Sequence, residues 1–231
     1  MEIESIPPAA RESINRIASA ELMVGVLADH GGAAFSIVRQ ALEKLHQIPR
    51  TVIIQGNGTG GANAADAATP AEDQAVFVVP WTLLEPDSSI GPVENVADAY
   101  QSVLAAGDKL GARAAIVLAS DLQTVTSQWI ADLVQPVLEL GFDLVTPCYV
   151  HGKFEGLLNN SLISPLNRAL YGTRIQNPMG PDLGISRRLF QKIIGTEQGT
   201  KLANRAHAQA SIAATSVCGG FKICQAHVGV R

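Results

Sequence analysis

The chain alternates short apolar runs with longer segments in which apolar residues recur every three or four positions. The short runs have the length of buried strands, and the longer segments have the period of helices that cover a sheet with one face. This alternation predicts an α/β fold, with a mainly parallel sheet and helices on both of its faces. The predicted strands are 21–28, 51–55, 75–80, 114–119 and 142–150.

The segments between and after these runs are predicted to be helices. Residues 92–111 and 126–141 have the helical period, and the run 183–194 near the end of the chain also resembles a helix. In the segment after the first strand, one helical face is formed by Ala34, Ile37, Val38, Ala41, Leu42 and Leu45.

Composition narrows the class of protein. The chain has 231 residues, of which 47% are hydrophobic and 16% charged, and this is typical of one globular domain with a large core. No apolar run approaches the roughly 20 residues of a membrane span, and the first residues do not resemble a signal peptide. The net charge of −4 disfavours a nucleic-acid binder.

An odd number of cysteines without metal-ligand spacing (Cys148, Cys218, Cys224) indicates reduced thiols and a cytoplasmic protein.

The segments that follow the predicted strands are the candidate ligand-binding positions. In an open α/β sheet, ligands bind beyond the carboxyl ends of the strands. Asp121 follows the fourth predicted strand, so its carboxylate is a candidate ligand for a metal or a polar substrate. Capping of a turn by Ser120 or Asp121 is an equally simple interpretation at this stage.

Two other features of these segments are less specific. The loop 56–61, "GNGTGG", lacks the Lys-Ser/Thr that completes a phosphate-binding P-loop, so it is either a weak phosphate cradle or a flexible connection. His30 follows the first strand and is either a ligand or an ordinary surface histidine.

Two motifs in the second half resemble a known family. These are "NNSLISPLNRALYG" at 159–172 and "NPMGPDLGISR" at 177–187. They are similar to segments of bacterial and archaeal glycosyltransferases of the GT-A fold, of the mannosylglycerate synthase and glucosyl-3-phosphoglycerate synthase type. The resemblance runs through about 22–231 and is strongest from 114 onward.

The resemblance implies a Rossmann-like GT-A domain that transfers a sugar from a nucleotide-sugar donor. The acceptor would be a small hydroxy acid or a phosphorylated acceptor such as glycerate or phosphoglycerate, and the donor's anomeric configuration would be retained. Such enzymes use Mg²⁺ or Mn²⁺ on the donor diphosphate, and Asp121 aligns with their metal-binding aspartate. The donor-binding residues implied by the resemblance are Ala28, Asp29, Gln55, Gly56, Asn57, Ser120 and Asp121.

The resemblance also places an acceptor site in the second half of the chain. The acceptor-binding candidates are Thr146, Tyr149, Lys153 and Asn159. Asp182 aligns with the acidic residue of the family's Gly-Gly-Asp/Glu motif, which makes it the candidate catalytic residue that orients an acceptor hydroxyl. Two alternatives remain open: Lys153 as a solvated loop lysine, and Asp182 as the N-cap of the helix-like run after it. Three arginines either frame a mobile loop or an anion site, or merely solvate helices: Arg168, Arg174 and Arg187.

Several charged residues of the family are absent. Ala119 stands where the first aspartate of the family's Asp-x-Asp element is expected, Gln55 where an aspartate contacts the base, and Gln209 where a late aspartate is common. "IGPVEN" at 90–95 lacks the family's phosphate-binding lysine. The chain ends at Arg231, before the family's metal-binding histidine, and His227 is a poor substitute by alignment.

Three functional hypotheses follow. The first is a glycosyltransferase with weakened metal binding. The second is a catalytically degenerate relative that binds a nucleotide, a sugar phosphate or a protein partner. The third is a nucleotide-binding protein of another class, such as a nucleotidyltransferase, although the segment after the first strand has no lysine or arginine before Arg39.

The resemblance further implies one domain over 1–231. Its nucleotide-binding half would be about 20–123 and its acceptor-binding half about 124–231, with the C-terminal part of the family fold missing. The resembled enzymes often dimerise through C-terminal segments that are largely missing here, so the resemblance allows a homodimer without requiring one.

Overall fold

A computed structural model describes ten parts of the chain, and the structural statements below concern these alone. They are residues 14–26, 33–44, 50–55, 76–80, 92–118, 125–150, 156–178, 180, 182–195 and 208–230.

Seven strands form one sheet in the order β3-β2-β1-β4-β6-β5-β7. All pairings are parallel except those of β6, which runs antiparallel to both β4 and β5. The predicted mainly parallel sheet is therefore confirmed. The strands are β1 (Leu22–Val26), β2 (Thr51–Gln55), β3 (Val76–Pro80), β4 (Ala114–Leu118), β5 (Leu144–Val150), β6 (Leu183–Ser186) and β7 (Ile223–Val230).

Six α-helices accompany this sheet in the described residues, and a π-helical turn, Asn159–Ile163, leads directly into the fourth of them. None of these helices has the length and apolarity needed to cross a membrane. The helices are α1 (Ala33–Lys44), α2 (Pro92–Lys109), α3 (Ser127–Leu138), α4 (Ser164–Tyr171), α5 (Arg187–Gly195) and α6 (Ala208–Cys218).

The core consists of two apolar layers, one on each face of the sheet. On β1, Met23 belongs to one layer, while Val24 belongs to the other, because successive side chains of a strand point to opposite faces. The Met23 layer contains buried residues of α2, α5 and α6, including Val103, Phe190 and Ile212. The Val24 layer contains buried residues of α1 and α3, including Val38, Leu42 and Ile130. Helices on both faces are thus confirmed.

The helix predicted over 183–194 is wrong in its first part. Leu183–Ser186 is strand β6, and the helix begins only at Arg187, where the Leu189 N–H donates to the Ser186 hydroxyl at 3.2 Å. Gly184 permits this arrangement, because a Cβ there would lie only 2.5 Å from the carbonyl oxygen of Leu133 in α3. A four-residue strand buried against a helix has too few positions for a clear period of two.

A buried carboxylate at the amino end of β5 ties three elements together. Asp143, 4% exposed, accepts hydrogen bonds from the Arg188 guanidinium, the Ser186 hydroxyl and the Lys222 backbone N–H. Burial alone would raise the pKa of Asp143, but these hydrogen bonds outweigh it and hold the pKa below its ordinary value of 3.8. The stability that this ionised group contributes is therefore complete above about pH 4 and lost as the pH falls through the lowered pKa.

We expect Asp143→Ala to lower the free energy of unfolding by about 2–4 kcal/mol at neutral pH. The substitution leaves the Lys222 N–H and the Ser186 hydroxyl without the acceptor they have in the wild type. Urea denaturation measures the difference, which should shrink as the pH falls below about 4. The matched control is Asp108→Ala, because the Asp108 side chain is 39% exposed, lies 3.9 Å from Arg187 and accepts from Gln191 at 2.7 Å at the surface, so its loss should cost less than about 1 kcal/mol. Equal losses for the two variants would contradict the role of Asp143.

Candidate functional site

The carboxyl ends of the first four strands lie at one edge of the sheet. Val26, the last residue of β1, pairs with Gln55 of β2 on one side and with Leu118 of β4 on the other. Gln55 in turn pairs with Pro80, at the end of β3. This confirms the prediction that these strand ends share an edge, and Asp121 follows the last residue of β4 by three positions.

Most of the predicted donor-binding residues lie outside the described residues. Gln55 is the exception, as the last residue of β2. The predicted positions that the structure does not describe are Ala28, Asp29, Gly56, Asn57, Ser120 and Asp121 of the donor site, together with His30, Ala119 and Lys153.

Asp182 lies at the same edge of the sheet. β6 runs opposite to β4, so its first residues lie beside the last residues of that strand, and Leu183 pairs with Val117. Asp182 immediately precedes this pair and is fully buried. The antiparallel strand therefore brings a carboxylate from late in the chain to the end of β4, after which Asp121 follows.

Tyr149 contacts this carboxylate. Its hydroxyl donates a hydrogen bond to Oδ2 of Asp182, and its ring packs in the apolar layer that contains Val145 and Trp129. The candidate catalytic residue and one acceptor-binding candidate therefore form a pair at the carboxyl end of β5. A carboxylate held in this way has a fixed orientation and can accept a further hydrogen bond from a substrate hydroxyl.

The alternative interpretation of Asp182 as a helix N-cap is wrong. Asp182 precedes strand β6 rather than a helix, and the residue that caps α5 is Ser186. The Asp182 carboxylate therefore does not cap α5.

Thr146 is not part of the Tyr149–Asp182 pair. The two residues are three positions apart on β5, so their side chains point to opposite faces of the sheet. Thr146 is 4% exposed, and its hydroxyl oxygen has no hydrogen-bond partner among the described residues. Buried polar atoms are usually paired, so this hydroxyl is an exception among the described side chains.

Only the nitrogen of the Asn159 side-chain amide forms hydrogen bonds within the described residues. Its Nδ2 donates to the Gln176 carbonyl at 2.7 Å and to Oδ1 of Asn177 at 2.9 Å. Its Oδ1 is buried and has no partner within the described parts of the chain. Asn159 therefore anchors residues 176–177, which lead towards Asp182. Its Oδ1 remains as an unpaired hydrogen-bond acceptor among the described residues.

The side chains of Ser164 and Gln225 also form hydrogen bonds with this segment, at residues 174–176. The Ser164 hydroxyl donates to the Ile175 carbonyl at 2.9 Å. In the orientation that satisfies both atoms of its amide, Gln225 of β7 donates to the Arg174 carbonyl at 3.0 Å and accepts from the Gln176 N–H at 2.9 Å. Neither residue was predicted from the sequence. The only signal for Gln225 was a polar residue within an apolar final segment.

The three arginines do not form one site. Arg187 lies at the opposite edge of the sheet, because it follows Ser186, which pairs with the first residue of β4. Its side chain is 3.9 Å from Asp108. Arg168 and Arg174 are exposed. The interpretation that the three arginines together frame one anion site is therefore wrong.

The described residues do not by themselves provide a metal site. No group of three histidine, cysteine, aspartate or glutamate side chains in these parts of the chain could hold an ion. The three cysteines are free thiols. Burial raises the pKa of Cys148 and raises that of Cys224 to about 11, so neither is an activated nucleophile.

Comparisons with known proteins identify the fold. No family model and no curated protein matches the chain. Among solved structures, it is similar to glucosyl-3-phosphoglycerate synthase from Mycobacterium tuberculosis in complex with Mn²⁺, UDP-glucose and phosphoglyceric acid. The identity is 17%, the match covers 96% of this chain and 74% of that chain, and the TM-score is 0.59.

Two further structures agree with this match. The same synthase in complex with Mn²⁺, UDP and glucosyl-3-phosphoglycerate is 18% identical, with 96% and 75% of the two chains covered and a TM-score of 0.59. A structure described as a mycobacterial protein is 20% identical, with 96% and 70% covered and a TM-score of 0.59. The predicted GT-A fold is therefore confirmed.

Proposed function

We propose that this protein transfers a sugar from a nucleotide-sugar donor to a small hydroxy acid or phosphorylated acceptor, such as glycerate or phosphoglycerate. The observation that carries the proposal is the position of Asp182. A buried carboxylate, oriented by Tyr149, lies at the carboxyl edge of a GT-A sheet. Solved proteins of this fold hold a UDP-sugar and phosphoglyceric acid together.

The donor would bind at the ends of β1, β2 and β4. This is where α/β sheets bind nucleotides, and Gln55 is the last residue of the strand next to β1. An amide both donates and accepts hydrogen bonds, so Gln55 can pair with a base edge without carrying charge. The donor-binding set remains Ala28, Asp29, Gln55, Gly56, Asn57, Ser120 and Asp121.

A divalent cation is proposed to accompany the donor, with Asp121 as its protein ligand. The similar synthase structures contain Mn²⁺ or Mg²⁺ together with UDP. Such an ion stabilises the charge of a leaving diphosphate. A carboxylate suits these cations, and the alanine at position 119 offers none, so Asp121 would be the residue of this strand end that holds the ion.

The acceptor would bind between Asp182 and the π-helical turn. Asp182 accepts a hydrogen bond from the acceptor hydroxyl, and Tyr149 keeps the carboxylate oriented for this task. The Oδ1 of Asn159, which has no partner among the described residues, would accept a second hydrogen bond. Lys153 pairs with the acceptor carboxylate or phosphate, since a charge-assisted hydrogen bond is the strongest contact available to such a group.

Lys153→Ala should weaken the binding of 3-phosphoglycerate or glycerate at least about tenfold, because the substitution removes an ion pair worth about 1.4 kcal/mol or more. Isothermal titration calorimetry measures the affinity, and thermal unfolding should show no change in melting temperature. Lys192→Ala is the matched control, since Lys192 is exposed on α5. Unchanged affinity in Lys153→Ala would remove this lysine from the site.

A catalytically degenerate relative is the second candidate function. Three positions support it, because Gln55, Ala119 and Gln209 replace carboxylates that the resembled family carries. Gln209 lies in α6, and its Nε2 donates to the Tyr100 hydroxyl of α2 at 3.4 Å, so its amide links the two helices where a carboxylate would carry charge. This candidate predicts nucleotide binding without turnover.

A panel of nucleoside diphosphates and sugar nucleotides, each with and without Mn²⁺, tests donor binding. A ligand that binds only the folded state adds about 2.7 kcal/mol of apparent stability at a hundredfold excess over its Kd. We expect the melting temperature to rise with at least one sugar nucleotide, and to rise further with Mn²⁺. If no nucleotide changes the melting temperature, the proposed function is wrong.

A further inference from the structure

The helical segment 157–171 buries polar side chains and exposes apolar ones. It is helical throughout, from the turn before the π helix to the end of α4. Asn167 is only 8% exposed, and the side chains of Asn159 and Ser164 donate to backbone carbonyls of residues 175–176, so these three polar groups point towards the protein. A helix at the surface of a globular protein normally has the opposite arrangement, with its apolar face towards the core.

The outward face of this segment carries most of the exposed large apolar side chains of the described residues. Only Leu140 and Val150 are exposed in the same way elsewhere in the described parts. The face is about 20 Å long, at 1.5 Å of rise per residue, and its apolar area of roughly 500 Å² is near the upper end for a patch on a monomer. The six side chains, 39–65% exposed and here called the leucine strip, are Leu157, Leu158, Leu162, Leu166, Leu170 and Tyr171.

The charge around the leucine strip is positive only. Between Gly156 and Pro181 the sequence contains two arginines, Arg168 and Arg174, and no aspartate or glutamate, although the whole chain has a net charge of −4. Both arginines are exposed. A second copy of this surface would therefore bring like charges together, whereas an anionic surface complements it.

The composition of the strip fits lipid better than protein. Five of its six side chains are leucine, which is under-represented among the residues that dominate protein–protein interfaces. Two copies of the strip would bury only about 1,000 Å² in total, below the roughly 1,200–2,000 Å² of a stable specific interface. Tyr171, at the end of the strip, has the amphipathic ring that is typical of a membrane–water boundary.

We propose that the leucine strip binds the surface of a bilayer that contains anionic lipids, with helix 157–171 lying in the plane of the membrane. The leucines enter the boundary between headgroups and acyl chains, where such a helix buries its apolar face by about 5–10 Å. Arg168 and Arg174 contact lipid phosphates, because a long basic side chain reaches the headgroups from beside an apolar face. The protein binds one leaflet peripherally and needs no membrane span.

Co-sedimentation with sucrose-loaded vesicles tests the membrane contact. Most of the wild-type protein should pellet with vesicles of equal parts phosphatidylglycerol and phosphatidylcholine. Leu162→Glu should lower the partition coefficient at least about tenfold, because it replaces a leucine buried in lipid by a charged group. Leu140→Glu is the matched control, since Leu140 is 66% exposed but lies outside the strip, and it should bind like the wild type. Circular dichroism checks that both variants are folded.

The contribution of charge is tested by Arg168→Gln. This substitution should weaken binding to the phosphatidylglycerol vesicles about fivefold, the contribution typical of one arginine near an anionic surface. Lys192→Gln, which removes an exposed charge of α5, should have no effect. Wild-type protein that binds pure phosphatidylcholine as tightly as the anionic vesicles would contradict a role for the arginines.

The orientation of the helix is tested by tryptophan fluorescence. Leu162→Trp should be quenched by vesicles of brominated phosphatidylglycerol, after subtraction of the wild-type signal, whereas Leu140→Trp should not. Equal quenching at the two positions would contradict contact through the strip. Two further results would overturn the proposal: a wild-type chain that does not pellet with anionic vesicles, and a wild-type dimer by sedimentation equilibrium that Leu162→Glu converts to monomer without any vesicle binding.

Discussion

Asp121→Asn is expected to abolish Mn²⁺-dependent nucleotide binding and to lower turnover by thousands of fold. Asp121 is the one family carboxylate that remains after β4, because the residue at position 119 is alanine. Each factor of ten in rate corresponds to about 1.4 kcal/mol of barrier, and a cation that stabilises a leaving diphosphate supplies several kcal/mol. Calorimetric titration of nucleoside diphosphate with and without Mn²⁺ measures the binding, and initial rates measure the turnover.

Ala119→Asp provides the reverse test. Restoring the missing carboxylate should tighten the binding of Mn²⁺ and donor if the site is a weakened transferase site. A degenerate relative predicts a different pattern, in which Asp121→Asn leaves ligand binding nearly unchanged and shifts stability by no more than about 1 kcal/mol. If Asp121→Asn retains full turnover, the cation-dependent proposal is contradicted.

The second large effect is expected at Asp182. Asp182→Asn keeps the size of the side chain but removes the carboxylate that the Tyr149 hydroxyl orients, so turnover should fall at least about a hundredfold. Tyr149→Phe leaves the carboxylate in place but removes its orienting donor, and should cost about tenfold. Steady-state rates at saturating donor measure both effects.

Folding must be separated from catalysis in this experiment, because both residues are buried. Thermal unfolding of each variant and donor affinity by calorimetry supply the control, and donor affinity should change little in Tyr149→Phe. If Asp182→Asn lowers the melting temperature but retains its rate per folded molecule, Asp182 is a structural residue and the proposed role is wrong.

Much of the sheet could be predicted from local patterns. The run 51–55 is strand β2, and the ends of β1, β4 and β5 fall within two residues of the prediction. All residues of β1 and β4 are buried, so each of these two strands is a continuous apolar run, which is typical of a parallel strand covered on both faces. The prediction that the carboxyl ends of these strands lie at one edge of the sheet followed from their parallel order alone.

Two strands were missed for physical reasons. β6 has four residues, and its apolar positions continue smoothly into those of α5, so one helix was predicted where a strand turns into a helix at Ser186. β7 contains both Gln225 and His227, which interrupt an apolar run at the end of the sheet. Pairing with β5 stabilises this strand, and such long-range pairing leaves no local signal.

The candidate site was only partly predictable for the same reason. The resemblance singled out both Tyr149 and Asp182, but their contact depends on β6 running antiparallel beside β5. The same analysis grouped Thr146 with Tyr149, and the alternation of side chains along β5 separates them. The anchoring of segment 174–177 by Asn159 and Gln225 depends on residues far apart in sequence.

The central claim is that a sugar moves from a nucleotide donor to a small acid acceptor. Mass spectrometry of the wild-type protein with UDP-glucose or another sugar nucleotide, Mn²⁺, and glycerate or 3-phosphoglycerate tests it most directly. The account predicts a product that carries one added hexosyl group, formed in equal amount with nucleoside diphosphate and lost in Asp182→Asn. Nucleotide binding without any acceptor-dependent product, across all donors and both acceptors, would contradict it.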